Sequence, residues 1–206
     1  MSKINYGFDS TEERYFYYWL VELYEIGMID WIYSKRKTYR IVDEVKASRI
    51  IKMKTKSKTK SFILTKKRDY TPDFIFKFND KAKGLLYYDK EEGYENRPYF
   101  YCNNNRGIIY LDIKGEFAGK LTSSITFPDR QSLMGHRFNI YVQKVIPFAK
   151  KVSKTTLFKS TFTPQKMIDE QVYSKTTVNR KTNKIKWRKG DSKIKYKVTK
   201  IKEFLC

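Results

Sequence analysis

Four polar residues have types and spacing that could do chemistry: Glu13, Asp73, Asp112 and Lys114. Asp73 lies in Tyr70-Thr71-Pro72-Asp73-Phe74-Ile75-Phe76. Asp112 and Lys114 lie in Ile108-Ile109-Tyr110-Leu111-Asp112-Ile113-Lys114-Gly115. Each string reads as a β-strand carrying an acid where apolar residues are expected. Side chains alternate across a strand, so Asp112 and Lys114 project from one face. Two carboxylates and a lysine beside a sheet can hold a hard divalent cation, which takes oxygen ligands from one or two carboxylates plus water and substrate phosphate. Asp73 and Asp112 are the natural ligand pair for Mg2+ or Mn2+, and the Ile113 carbonyl could add a backbone ligand. Lys114 would orient or activate an attacking water and neutralise developing charge. Glu13 could bind a second metal or hold a metal-bound water. The reaction this suits is hydrolysis of a phosphodiester.

The elements that must position these groups are legible in part. Residues 10–26 read as a helix, with Ser10 as N-cap and Gly27 as the residue that ends it. At 100° per residue Phe16, Tyr17, Leu20, Leu23 and Tyr24 share one face, with Glu13 in its middle and Glu12 near its edge beside Trp19. Residues 29–45 read as a turn followed by a strand around Tyr39–Val42. Residues 70–79 read as a strand with Phe74, Phe76 and Phe78 on one face and Pro72 at its start. Residues 80–106 read as an insertion with a short strand at Leu85–Tyr88. Residues 107–114 read as a central strand covered on both faces. A helix is expected over 129–145, with Leu133, Phe138, Tyr141 and Val145 inward, and a strand near Thr155–Lys159.

Charge bounds the partner. The chain of 206 residues carries 44 Lys+Arg against 22 Asp+Glu, a net of +22. Self-repulsion on that scale points to a polyanion, and nucleic acid is the first candidate. An anionic membrane surface is the second, but no amphipathic basic helix supports it. Residues 46–68 hold ten Lys or Arg and no acid, including Lys52, Lys54, Lys56, Lys58 and Lys60. This stretch reads either as a solvated loop or as a phosphate-contacting loop or strand, and basic loops often order on nucleic acid. Residues 151–206 contain 16 Lys+Arg and 4 Asp+Glu, a net of +12. There Lys184-Ile185-Lys186-Trp187-Arg188 and Lys193-Ile194-Lys195-Tyr196-Lys197-Val198 alternate as amphipathic strands that a turn at 189–192 could join. They read as a basic β-rich appendage from residue 161 onward, with Lys184, Lys186, Arg188, Lys193, Lys195 and Lys197 facing nucleic acid.

Other chemistries lack their residues. Cys102 and Cys206 cannot form a cysteine-rich zinc site. The lone His136 has no visible partner, which argues against histidine-centred catalysis. No Gly-x-Ser-x-Gly or Gly-x-x-x-x-Gly-Lys occurs, so serine hydrolysis and ATP use are not expected. The first residues open no apolar stretch, and no run approaches the roughly 20 apolar residues of a membrane span. A cytoplasmic setting is expected.

Thr71-Pro72-Asp73 followed by Asp112-Ile113-Lys114 resembles the PD-(D/E)xK nuclease superfamily. Gly7-Phe8-Asp9-Ser10-Thr11-Glu12-Glu13-Arg14-Tyr15, then Tyr70–Phe76, then Asp112-Ile113-Lys114-Gly115 is similar to a family of small phage-encoded nucleases, with Thr11 in place of its usual lysine. A helical glutamate ahead of these acids also resembles Holliday-junction resolvases of the superfamily. The resemblance covers roughly residues 7–147, with insertions at 46–68 and 80–106. It implies a restriction-endonuclease-like α/β fold, a mixed central sheet flanked by helices, over residues 1–160. It further implies a Mg2+-dependent endonuclease acting on DNA, on branched DNA in phage recombination, in the host cytoplasm and as a dimer. Glu13, Asp73, Asp112 and Lys114 carry over as catalytic.

Structural roles compete for each residue. Ser10-x-x-Glu13 is also a capping box, in which Glu13 would bond back to the Ser10 amide. Asp73 could be a turn residue leading into its strand, and Asp112 could simply pair with Lys114. Of the four, Asp112 is hardest to explain this way, because a buried carboxylate is costly without a metal or a cation. A non-catalytic DNA-binding protein with a vestigial site is the competing function. Gln131 and Gln143 are weaker candidates for substrate contact.

Overall fold

Ser10 starts the first helix, α1 (Thr11–Glu25), by accepting a hydrogen bond from the Glu13 amide through its hydroxyl. Gly27, with φ +71°, ends it. The computed structural model describes residues 7–88, 99–103, 107–115, 122–149, 156–173, 176–178, 185–187, 194 and 196–206. The chain continues through β1 (Ile29–Ser34), β2 (Tyr39–Val42), β3 (Val45–Lys52), β4 (Ser57–Thr65), β5 (Arg68–Tyr70) and β6 (Phe74–Phe78). A short 3-10 turn (Asp80–Ala82), β7 (Tyr87–Tyr88), β8 (Phe100–Tyr101) and β9 (Ile108–Ile113) follow. Then come α2 (Thr122–Phe138), β10 (Val142–Val145), α3 (Leu157–Ser160), α4 (Gln165–Tyr173), β11 (Thr176–Val178), β12 (Ile185–Trp187) and α5 (Ile201–Phe204).

The main sheet has the order β1-β6-β9-β10. The β1–β6 and β6–β9 pairs are antiparallel and β9–β10 is parallel, so the sheet is mixed. β9 is a central strand, as expected, and β6 is the other. Phe74, Phe76 and Phe78 are all buried on one face, where α1 lays Phe16, Trp19, Leu20 and Leu23 against them. Aromatic rings fill this layer: Phe16 meets Phe74 at 5.2 Å and Trp19 stacks on Phe162 at 5.4 Å between centroids. The opposite face holds a smaller cluster of Tyr39, Ile41, Tyr70, Ile75, Met134 and Val142. The chain is thus α/β, with helices on a mixed sheet.

Several expectations need correction. Residues 29–34 form an edge strand, not a turn, because Ile29 and Ile32 point into the core opposite Phe78 and Phe76. Of the two readings of the basic stretch, the structure has the strand: residues 45–65 form a hairpin, not a solvated loop. The segment after residue 80 is no external insertion in its described part: Ala82, Leu86, Tyr87, Phe100 and Cys102 belong to the main core. The helix expected over 129–145 stops at Phe138, where Asn139 takes φ +54°, and Val142–Val145 joins the sheet. Tyr141 is exposed rather than inward. On α1, Tyr15 and Trp19 are buried while Tyr24 is exposed, so the inward face is rotated from the expected one. The stretch near 155–159 contains a helical turn, α3, instead of a strand. Residues 161–206 are not purely β in their described part. Helix α4 buries Met167 in the main core, and Ile194, Tyr196, Ile201 and Phe204 pack against it. Near the C-terminus β12 pairs antiparallel with β11; of the strand expected over 193–198, Ile194, Tyr196, Lys197 and Val198 are not in a strand, and Lys193 and Lys195 lie outside the described residues.

Candidate active site

The register of β6 and β9 brings the two aspartates together. Phe74 pairs with Leu111, Ile75 with Tyr110, and Phe76 with Ile109. One step beyond, Asp73 stands opposite Asp112 across adjacent central strands. Like charges directly opposite destabilise a sheet, so this placement has no folding benefit. Asp112 is buried at 3% exposure. Its Oδ2 accepts no directed hydrogen bond but lies 2.7 Å from the Lys114 ammonium, an ionic contact. Asp73 accepts a 2.7 Å hydrogen bond from the Ile113 amide through Oδ2. Burial, the Asp112 charge and the Glu13 charge push the Asp73 carboxyl up to about 7, against the pull of the Ile113 amide and Lys114. Asp73, Asp112 and Lys114 therefore meet at the end of the sheet, and Glu13 is near enough for its charge to act on Asp73.

Glu13 approaches from the start of α1 and is buried. The capping half of its alternative role is present, since Ser10 accepts from the Glu13 amide at 3.1 Å. The reciprocal half is shifted by one residue: Glu13 Oε2 accepts from the Asp9 amide at 3.3 Å rather than from the Ser10 amide, while the Ser10 hydroxyl donates to Oε1 at 3.5 Å. The same oxygen lies 2.9 Å from the Lys35 ammonium. Glu12 lies near the end of β9, where a methyl added at Gly115 would meet its Oε1 at 3.3 Å.

Sequence reasoning missed three residues. Lys35 follows β1 with φ +48°, and its amide donates to the Asp73 carbonyl at 3.2 Å. Its ammonium joins Asp9 at 2.6 Å and Glu13 at 2.9 Å. Burial alone would lower its pKa, but those two carboxylates hold it above the ordinary lysine value. Nothing in a lysine-rich sequence marks it. Tyr70 buries its hydroxyl without a directed partner, and burial and the neighbouring carboxylates of Asp112 and Asp73 push its pKa up. The Arg130 guanidinium lies 5.8 Å from the Tyr70 ring centroid. The position of Tyr70, three residues before Asp73, was the available signal for it.

No family model, curated protein or solved structure matches the chain. The site is therefore read from its own geometry. Among the described residues, no group of three or more His, Cys, Asp or Glu is arranged to hold a metal ion jointly. The Asp73–Asp112 pair stands apart from Glu13, whose carboxylate is taken up by Lys35. Gln131 and Gln143 are not free for substrate: Gln131 donates to the Val142 carbonyl at 2.6 Å, and Gln143 bonds the backbone of Tyr99 and Tyr101.

Of the expected nucleic-acid contacts, Lys52, Lys54, Lys56, Lys58 and Lys60 lie on the β3–β4 hairpin and are exposed, as is Lys197. Lys186 lies within β12. Lys184, Arg188, Lys193 and Lys195 fall outside the described residues. No helix among the described residues is long and apolar enough to cross a membrane.

Proposed function

We propose that the chain is a divalent-metal-dependent nuclease that hydrolyses DNA phosphodiesters. The observation that carries this reading is the directly opposed pair of half-buried Asp73 and buried Asp112, with the Lys114 ammonium 2.7 Å from Asp112. The pair fits a hard cation. Two carboxylates face each other, one has an oxygen without a directed hydrogen bond, and the other has its pKa raised by the first. Asp73, Asp112 and the Ile113 carbonyl would hold Mg2+ or Mn2+. When bound, such an ion supplies positive charge to an electron-rich transition state and lowers the pKa of water.

The chain's own residues do the rest. The Ile113 amide fixes the Asp73 carboxylate in place. Lys114 presents its ammonium on the same strand face as Asp112, where it can orient a water and offset charge on the phosphoryl oxygens. Lys35 holds Glu13 and the Asp73 backbone together. Arg130 and Lys114 bring positive charge towards a site whose substrate is an anion. A mixed sheet with acids on neighbouring strands and a glutamate from the first helix is also consistent with the restriction-endonuclease-like resemblance.

A second reading has its own observation. Glu13 is neutralised by Lys35 and Asp112 by Lys114, so these two acids already have cations, and no three-carboxylate metal group forms among the described residues. On that reading the protein binds DNA without cutting it. A panel of duplex, single-stranded and four-way DNA, incubated with Mg2+ or Mn2+ and with chelator, separates the two. Metal-dependent cleavage of any member supports the nuclease. Binding without cleavage of all of them supports the non-catalytic protein.

A further inference from the structure

The β3–β4 hairpin stands out from the fold. Every residue but Ala47 is exposed, on both faces, including Ile50 at 69% and Leu64 at 61%. Arg49 stands directly opposite Lys60, a repulsive pairing. An isolated two-stranded hairpin is marginally stable in water. Its cations and open apolar side chains therefore suit something outside the chain. Its root is firm. Tyr39 of β2 pairs with Tyr70 of β5 and both are buried, Arg40 pairs with Asp69, and Asp43 bonds Arg137 of α2 at 2.7 Å. Tyr70 lies beside Asp112 and leads within three residues to Asp73. The root therefore joins the ribbon to the segment that carries Asp73.

We propose that this ribbon lies in the major groove of B-form duplex DNA, which makes duplex DNA the substrate class of the site. The proposal rests on the nuclease reading for what happens at the acids, but not for binding. A major groove about 12 Å wide admits a two-stranded ribbon. Seven steps from Val45 to Lys52, at roughly 3.4 Å each, give an arm of roughly 24 Å. Register sorts its side chains. Ser48, Ser57, Thr59 and Ser61 share one face with Lys46, Ile50, Lys52 and Ile63, so hydroxyls that can bond base edges alternate with longer cationic and apolar side chains. Arg49, Lys58 and Lys60 share the other, and Lys54 and Lys56 sit at the tip, within reach of phosphates. Residues 46–68 contain no acid to oppose them. The major groove of A-form RNA is too deep and narrow for a ribbon, and a single strand offers no groove.

Binding without metal tests this by fluorescence anisotropy on a duplex DNA, a duplex RNA of the same sequence and a single DNA strand. Two full-length variants are compared with the wild type, both changed only at exposed positions. One replaces Lys54, Lys56, Lys58 and Lys60 with Gln. The other is Ser61→Trp, which adds bulk and no charge. The lysine variant should lose at least about tenfold in duplex DNA affinity and flatten the salt slope by roughly 3 to 4. Ser61→Trp should lose about tenfold on duplex DNA alone and leave the salt slope and the single strand unchanged. Equal losses on all three nucleic acids, or none, would overturn the proposal. So would a dimer that Leu64→Ser converts to monomer with unchanged DNA affinity, because a second copy would then cover the ribbon. Groove binding by the ribbon without any metal-dependent cleavage would remove the nuclease reading and leave the ribbon standing. Cleavage unaffected by either variant would do the reverse.

Discussion

Asp73→Asn tests the electrostatics of the acid pair most sharply. The amide oxygen of Asn can still accept from the Ile113 amide, so the change removes charge and little else. Folding raises the Asp73 pKa from 3.8 to about 7. A raised carboxyl favours the folded state when protonated. Its contribution is therefore fully present below pH 3.8, declines as pH rises, and is lost once pH passes about 7. At 1.36 kcal/mol per unit, ionised Asp73 costs the metal-free protein about 4 kcal/mol above that point. A buried amide has its own cost of about 1 kcal/mol. Asp73→Asn should thus stabilise the metal-free protein by about 3 kcal/mol near pH 8, or roughly 6 to 12 °C in Tm. Near pH 5 the gain should fall below about 1 kcal/mol. Urea denaturation with chelator at the two pH values reads this directly. Mg2+ should raise wild-type stability near pH 8 and leave the variant unmoved. A variant less stable than wild type near pH 8, or an equal difference at both pH values, would refute the reasoning.

Other outcomes follow from neighbouring contacts. Lys35→Met leaves the buried Glu13 without its cation and should destabilise the fold by about 1 to 3 kcal/mol, measured by thermal melting; Glu13→Gln in the same background should recover most of it. Glu13→Gln alone keeps the helix cap, which uses the residue 13 amide, and should lower cleavage about 10- to 100-fold with the fold intact, by analogy with partners that orient metal ligands. Unchanged cleavage would confine Glu13 to a structural role. Gly107→Ala should destabilise by more than about 1 kcal/mol in the same melts, because φ is +68° and the added methyl would lie 2.8 Å from the Phe78 carbonyl oxygen.

Elements whose pattern and capping agree were readable from sequence. Ser10 and Gly27 bracket α1, and the alternating phenylalanines of β6 and the apolar run of β9 mark the two central strands. β1 was hidden because it is an edge strand that mixes Asp30 and Ser34 with half-exposed aromatics. The β3–β4 hairpin was hard to tell from a loop because both its faces are wet, which leaves no apolar–polar alternation to detect. The α2 to β10 boundary depended on one left-handed residue, Asn139. At the site, residue types identified Asp73, Asp112 and Lys114. Their opposition depends on register, which is a tertiary property, and Lys35 reaches Glu13 only through the turn after β1.

The central claim is that the opposed acids carry out cleavage. Its most direct test is Asp112→Asn assayed for both cleavage and binding on the same DNA, with Mg2+ or Mn2+ present. The expected result is metal-dependent cleavage by the wild type, and loss of cleavage with retained binding in the variant. Cleavage by the variant at the wild-type rate would contradict it.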